Sequence, residues 1–333
     1  MLAVRLIAAG DLRLVEVPKP APAPGEVLVQ VAAAGICGTD RHLYHGTFPC
    51  IPPVTLGHEF SGPVVAVGTG VSLPVGTLVT CDPNIACGIC GPCLKGRINL
   101  CRNLLAVGIG RDGGFAEYCA FPAHRALPLP PGLDPRHGAF CEPLACCLHG
   151  IDIGAPKPGE RAIILGGGVI GLLTLQLALL AGTEAMLITR QAEKRQVAAR
   201  LGAHATAATP QEAQALWPDG ADLVLECAGV TETVEACPAL AARGGRIVVL
   251  GVVSHGDKAR IEPFDLLFRE VSLLFAFINP FTQSRAVQLI SSGRVKLDAL
   301  ISRTISLAQA VDAISHDPRP GEIKVMVVPE PRR

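Results

Sequence analysis

The residues best able to do chemistry fall into two groups of metal-seeking side chains. The first is local: Cys87-x-x-Cys90-x-x-Cys93-x7-Cys101. Four thiolates at these intervals close a tetrahedron around one zinc ion and leave no open position, so the role is structural. Four buried free thiols, or a zinc ribbon that reads nucleic acid, are the alternatives. The second group is dispersed over Gly35-Ile36-Cys37-Gly38-Thr39-Asp40, Gly57-His58-Glu59 and Cys141-Glu142-Pro143. One thiolate, one imidazole and one or two carboxylates hold zinc with a position free for a reacting group, as a catalytic site requires. Taken singly, His58 reads as a hydrogen-bonded histidine and Glu59 as a solvated carboxylate. The inference rests on all three occurring in this order ahead of a nucleotide-binding signature.

That signature is Leu165-Gly166-Gly167-Gly168-Val169-Ile170-Gly171. The apolar run Ala162–Leu165 enters it as a buried parallel strand, and Leu172–Ala178 leaves it as a buried helix. Between them Gly166, Gly168 and Gly171 form a Gly-x-Gly-x-x-Gly turn, which lets backbone approach a pyrophosphate resting on the helix amides and the positive end of the dipole. Glycine-rich turns also serve packing alone. Inside a strand-helix-strand unit, the turn predicts dinucleotide binding, with Val169 and Ile170 at the helix start and Gly251 at a later strand end.

These groups need scaffolds, and the texture of the chain changes to supply them. Early residues read as strands: a hairpin within 2–34, a proline-rich spacer at 18–25, an alternating strand at 26–31, and short strands at 64–68 and 77–80. This half predicts a β-rich, partly barrel-like domain. From about 152, strand and helix alternate at 161–165, 170–181, 185–189, 192–201, 222–227, 231–242 and 246–251. That alternation predicts an α/β doubly wound parallel sheet. A helix at 283–292 and a strand at 323–328 follow.

Composition excludes several classes. The 333 residues are long enough for two domains, and 29 basic residues balance 29 acidic ones. No basic stripe suggests a nucleic-acid partner, which also weighs against the zinc-ribbon reading. Hydrophobic residues make up 49% of the chain, yet no apolar run is long enough to predict a membrane span. Thirteen cysteines in a chain this long suit metal or buried thiols better than a disulfide framework. The first residues lack a signal-peptide profile, so the expected location is cytoplasmic.

The order of motifs resembles the zinc-dependent medium-chain dehydrogenase/reductase (alcohol dehydrogenase) family, most of all its sorbitol-like polyol dehydrogenases. The resemblance is carried by Cys-Gly-Thr-Asp at 37–40, Gly-His-Glu-Phe at 57–60, the four-cysteine lobe, Gly-Gly-Phe-Ala-Glu-Tyr at 113–118, Glu-Pro-Leu at 142–144 and the glycine turn. It covers essentially the whole chain. It implies a GroES-like catalytic domain, residues 1–151 and 280–333, with a structural zinc lobe at about 82–105. A Rossmann domain, residues 152–279, interrupts it. Cys37 and His58 are implied as catalytic zinc ligands. Glu59 binds the metal in polyol-type members, with Glu142 holding the zinc-bound water; in other members the later position is the ligand. Thr39 begins a proton relay, with Asp40 and His42 as neighbours. Asp40 reads equally as a turn residue supporting Cys37. The implied reaction moves a hydride between a secondary alcohol or polyol, or the matching ketone, and NAD(P), with two zinc ions per chain.

The chain departs from the family pattern in two places. Leu187-Ile188-Thr189-Arg190-Gln191 puts a cation where NAD-specific members carry an acid for the adenosine ribose. A guanidinium pairs with a 2′-phosphate, so NADP(H) is expected over NAD(H), with Thr189 and Arg195 as further contacts. The other departure is Ala276-Phe277 in place of a polar Arg-Tyr pair, and Leu43 in place of an early aromatic. Both predict a less polar pocket. The hydrophobic run 271–278 reads as the exposed edge strand of an open sheet, and with the resemblance it implies a homodimer or homotetramer.

Overall fold

The computed structural model describes residues 1–329, so the end of the expected 280–333 segment lies outside the described residues. Six parallel strands form one sheet in the order Ala205–Ala207, Glu184–Ile188, Arg161–Leu165, Ala221–Glu226, Ala241–Val249 and Ser272–Phe275. Alternation along the strands explains how both faces are covered. Ala162 and Ile164 point into one apolar cluster, while Ile163 and Leu165 point into the other. Chain order reverses between Arg161–Leu165 and Ala221–Glu226. Such a reversal opens a crevice at the carboxyl ends of the strands, where ligands of doubly wound sheets bind.

A second, eight-stranded sheet joins both ends of the chain. Its path runs through Tyr118–Pro122, Glu26–Gln30, Glu59–Val67, Ala33–Gly35, Lys324–Val327 and Ile301–Ile305. Leu78–Cys81 pairs with Glu59–Val67 and with Ala126–Pro128. Helix Leu307–Ser315 covers the interior with Leu307, Ala310, Ala313 and Ile314. The strands Ile301–Ile305 and Ala205–Ala207, and the helices Leu307–Ser315, Pro210–Leu216 and Pro263–Arg269, go beyond the elements expected from sequence.

The two sheets share packing. Helices Cys141–Gly154, Val169–Leu180 and Gln283–Ser291 contribute to a single core that also reaches Ala33 and Met326 of the second sheet. Helix Cys141–Gly154 runs across the expected boundary at 151/152, so one rigid element spans both layers. The run 271–278 is a strand only at Ser272–Phe275; Leu273 and Leu274 pack to opposite faces, and Phe275 is exposed at the edge of the sheet.

Candidate active site and metal centres

The cysteine lobe is pinched at its neck by Asn84–Ile85 pairing with Leu105–Ala106. Within it Cys90 opens the short helix Gly91–Leu94, which brings Cys93 round beside it. The Sγ atoms of Cys90 and Cys93 lie 3.4 Å apart, and those of Cys90 and Cys101 3.9 Å. Zinc–sulfur bonds of about 2.3 Å in a tetrahedron set an edge of about 3.8 Å, so the spacing fits the metal. No disulfide competes, because all four thiols are free. Amides of Cys93 and Arg102 hold the Cys90 thiol down to about 6, while burial and the contact with Cys90 push Cys93 up to about 12, so without a metal the pair shares a proton that zinc would displace.

The second centre is assembled from distant segments. Cys37 caps helix Gly38–Tyr44, His58 and Glu59 stand at the start of strand Glu59–Val67, and Glu142 lies in the first turn of Cys141–Gly154. Ligand atoms of Cys37, His58 and Glu59 all lie within 4.8 Å of one another. Glu142 falls outside that set, with its Oε1 accepting from Cys146 Sγ at 3.5 Å. Burial chiefly pushes the Glu142 carboxyl up to about 7, against the opposing pull of His58. Burial also disfavours a His58 cation, but the charges of Cys37 and Asp40 prevail and raise its pKa well above the ordinary value.

Asp40 serves both ligands. Its Oδ2 accepts from the Cys37 amide at 2.8 Å, and its Oδ1 faces His58 Nδ1 at 3.6 Å. At 3.6 Å Oδ1 makes no hydrogen bond to the ring, but a carboxylate facing one ring nitrogen leaves the other free for a metal. Thr39 Oγ1 is 3.7 Å from Cys37 Sγ, and His42 Nδ1 is 3.0 Å from Thr47 Oγ1 one turn further on. Glu59 Oε1, Asp40 Oδ1 and His58 Nδ1 are buried without a hydrogen-bond partner among the described residues. Such atoms are costly unless a cation meets them, and thiolate, imidazole and carboxylate together suit zinc. The residues fit the metal.

Lys324 is the participant that the motifs do not announce. It is fully buried, and its ammonium contacts Glu59 Oε2 and donates to the Ile36 carbonyl at 3.0 Å. A signal exists in the sequence: one lysine interrupts the otherwise apolar Ile323-Lys324-Val325-Met326-Val327-Val328. A charge inside a buried strand implies a buried partner. Leu43 is buried in the core of the second sheet. It lies on the inner face of its helix, where the core fixes a large apolar side chain. Phe277 points outward, and its carbonyl accepts from Asn99 of the cysteine lobe at 3.1 Å.

The nominated cofactor residues converge on the carboxyl edge of the parallel sheet. Gly168 caps helix Val169–Leu180, whose first turn, including Ile170, carries no acid to repel a phosphate. Gly171 packs so closely on the Gly166 carbonyl that a Cβ there would overlap it. Thr189 lies against Gly167, and Arg190 is exposed just past strand Glu184–Ile188. Arg195 Nη1 donates to the carbonyls of Thr189 and Arg190 at 2.7 and 2.9 Å, so it shapes the loop that carries Arg190. Gly251 follows strand Ala241–Val249 and donates to the Glu226 carbonyl at 3.1 Å.

With its closed thiol lobe, its mixed buried centre and its glycine turn, the chain belongs to the zinc-dependent medium-chain alcohol dehydrogenase family. The alcohol dehydrogenase GroES-like domain matches residues 23–131, and the zinc-binding dehydrogenase domain matches residues 169–292. The chain is 34% identical over 337 residues to 2-dehydro-3-deoxy-L-galactonate 5-dehydrogenase of Pseudoalteromonas atlantica, covering 98% of each. It is 29% identical over 330 residues to D-arabinitol dehydrogenase 1 of Uromyces fabae, covering 96% of this chain and 94% of that one. A zinc-binding dehydrogenase structure from Sinorhizobium meliloti 1021, bound to NADP, superposes with a TM-score of 0.96 at 54% identity, covering 98% of this chain and 99% of that one. As a family member the chain is an NAD(P)-dependent oxidoreductase of alcohol CH–OH groups. No helix among the described residues is long and apolar enough to cross a membrane.

Proposed function

We propose that this chain transfers a hydride between a polyhydroxylated or simpler secondary alcohol, or the matching ketone, and NADP(H). The observation that carries the cofactor choice is Arg190, a cation just past the second strand of the nucleotide unit. At about 4 Å and an effective dielectric near 20, a unit charge pair is worth about 4 kcal/mol before solvent screening. Arg190 is exposed, so only part of that survives. The sign is still enough to separate the two cofactors. The NADP in the structurally similar Sinorhizobium protein supports the same reading. The substrate class is supported by the printed activities of the two relatives, both named as dehydrogenases of hydroxylated carbon chains.

In this reading residues 1–151 and 280–333 are the catalytic domain and residues 152–279 bind the cofactor. Cys37, His58 and Glu59 would hold a catalytic zinc, with Glu142 beside it, and Cys87, Cys90, Cys93 and Cys101 a structural one. Bound zinc supplies a Lewis acid that lowers the pKa of a hydroxyl. The chain's own residues do the rest. Asp40 positions Cys37 through the hydrogen bond from its amide and sets a negative charge beside the His58 ring. The Thr39 hydroxyl would accept the substrate proton while donating its own onward, and His42, a neighbour on the same helix, would be the base that receives a proton near the surface. The helix amides beyond Gly168 orient the cofactor pyrophosphate. Apolar Phe264, Leu267, Phe268 and Phe275 are exposed around the sheet edge, which favours a dimer joined there, a reading that a clean monomer in sedimentation at micromolar concentration would overturn.

Steady-state kinetics with both cofactors over a panel of polyols, secondary alcohols and sugar phosphates tests the proposal. The wild type should prefer NADP. Arg190→Asp should raise the KM for NADP by roughly 10- to 100-fold, as loss of a charged hydrogen bond predicts, and lower that for NAD, whose ribose hydroxyls an acid there would accept. Equal use of both cofactors by the wild type would defeat the NADP assignment. A single zinc per chain would defeat the catalytic one.

A further inference from the structure

The loop that carries Arg190 is tied to the eight-stranded sheet by a side chain that neglects its own helix. Gln191 is the residue at which helix Ala192–Arg200 begins, and its carbonyl accepts from the Arg195 amide at 3.2 Å. Serine, threonine, asparagine and aspartate are favoured there, because a short polar side chain turns back and caps the helix amides. The Gln191 side chain makes no such cap. It reaches away, and its Oε1 accepts from the Gly321 amide at 3.0 Å, 130 residues further along the chain. A longer side chain stands where a capping one is usual because it spans a gap.

The far side of the gap is built to meet it. The Glu322 amide donates to the Arg319 carbonyl at 3.0 Å, which closes a turn over Arg319-Pro320-Gly321-Glu322. Proline second and glycine third, the latter with a φ of +76°, suit a type II turn. The turn uses the Glu322 amide for its own hydrogen bond, so that of Gly321 is left to donate elsewhere. Glu322 then bolts the turn in place. It is buried, Arg303 Nε donates to its Oε2 at 2.7 Å, and Arg41 lies 3.9 Å from its Oε1. Arg41 belongs to the helix that Cys37 caps. On the nucleotide side, Arg195 braces the loop from behind through the Thr189 and Arg190 carbonyls. Burial lowers the pKa of Lys194 on the same helix while the charge of Glu322 raises it, so attraction across the gap adds to the hydrogen bond.

Resting on the NADP(H) reading above, we propose that Gln191 is a positioning residue for cofactor choice, which by clasping Gly321 holds Arg190 in place for the 2′-phosphate. A cofactor without that phosphate does not draw on the Arg190 guanidinium, so it gains nothing from the clasp. Coupling of this kind is reciprocal. If the clasp favours the phosphate, the phosphate favours the clasp by the same factor.

Full-length protein is used for the test. Hydrogen exchange followed by mass spectrometry reads the clasp directly, because Pro318 and Pro320 carry no amide proton and residues 317–322 hold few others. In the wild type, saturating NADP should slow exchange in this segment at least threefold more than saturating NAD. The difference should vanish in Gln191→Met, which keeps the reach of the side chain and loses the acceptor. In steady-state kinetics Gln191→Met should raise the KM for NADP by roughly 3- to 10-fold, the worth of one neutral hydrogen bond. Its kcat, and both constants with NAD, should stay within about twofold of wild type. Equal losses with both cofactors, or equal protection by them, mean that the contact only joins the two sheets, and overturn the inference. A wild type that binds the two cofactors equally overturns the NADP reading itself. A wild type that prefers NADP, with the preference intact in Gln191→Met, overturns the role of Gln191 alone.

Discussion

Under the proposed assignment, the cysteine lobe and the mixed centre are two answers to one problem, that of holding a divalent cation in protein. The lobe uses four like ligands from one short stretch, half-exposed and pinched off by a two-strand neck. The mixed centre draws Cys37, His58, Glu59, Glu142 and Lys324 from separate elements, and all but Cys37 are buried. A local site can be complete while the rest of the chain is not. An assembled site is only as good as the fold around it, and in return it can include unlike charges, an open position and a proton path. Stability belongs to the first arrangement and reactivity to the second.

The sharpest way to break that comparison is Cys37→Ser. Turnover should fall by roughly a thousandfold or more, the scale of several kcal/mol of lost Lewis-acid assistance. Cofactor affinity, followed by nicotinamide fluorescence, should stay within about threefold, because the glycine turn lies on the other sheet. Turnover at the wild-type rate with the metal shown to be absent would leave the two sites functionally alike. Cys90→Ser asks the converse question. It should lower the thermal midpoint by roughly 5–10 °C, since a closed thiolate site contributes folding energy directly. The surviving folded fraction should keep most of its turnover per catalytic zinc. An unchanged midpoint with activity abolished would exchange the two roles. The smallest effect concerns how the lobe is docked. Asn99→Ala removes the donor to the Phe277 carbonyl and should cost at most about 1 kcal/mol, a fall of roughly 1–3 °C, with kinetics unaltered. A larger loss would mean that the lobe depends on its neighbour after all.

What sequence could reveal follows the same division. The four cysteines and the glycine turn are legible because spacing along the chain is nearly spacing in space for short segments. The parallel strands are legible because residues buried on both faces make continuous apolar runs. Glu59 and His58 needed their companions elsewhere in the chain to acquire meaning. The pairing of Lys324 with Glu59 was out of reach, since it depends on the register of three strands and on a missing side chain at Gly35. The burial of Leu43 was out of reach for a related reason: its distance along the chain from Cys37 says nothing about which side of its short helix faces the core. Residues 301–315 are a different matter. Ser306 and Gln309 make a capping box, and Leu307, Ala310, Ala313 and Ile314 share one helical face, so that helix carried a readable signal.

The span between Lys324 and its anchor also has a bearing on how the protein is made. Ile36 and Lys324 are 288 residues apart. At roughly 5–20 residues per second, a ribosome delivers the lysine about 15–60 s after the cysteine beside that anchor. The cysteine lobe can capture its metal early in that interval, when only its own residues have emerged. The strand that carries Lys324 is made late. Cys37, His58 and Glu59 are therefore synthesised long before the buried cation that contacts Glu59. That ion pair, and the register of three strands that builds it, can form only once Lys324–Val327 has been made.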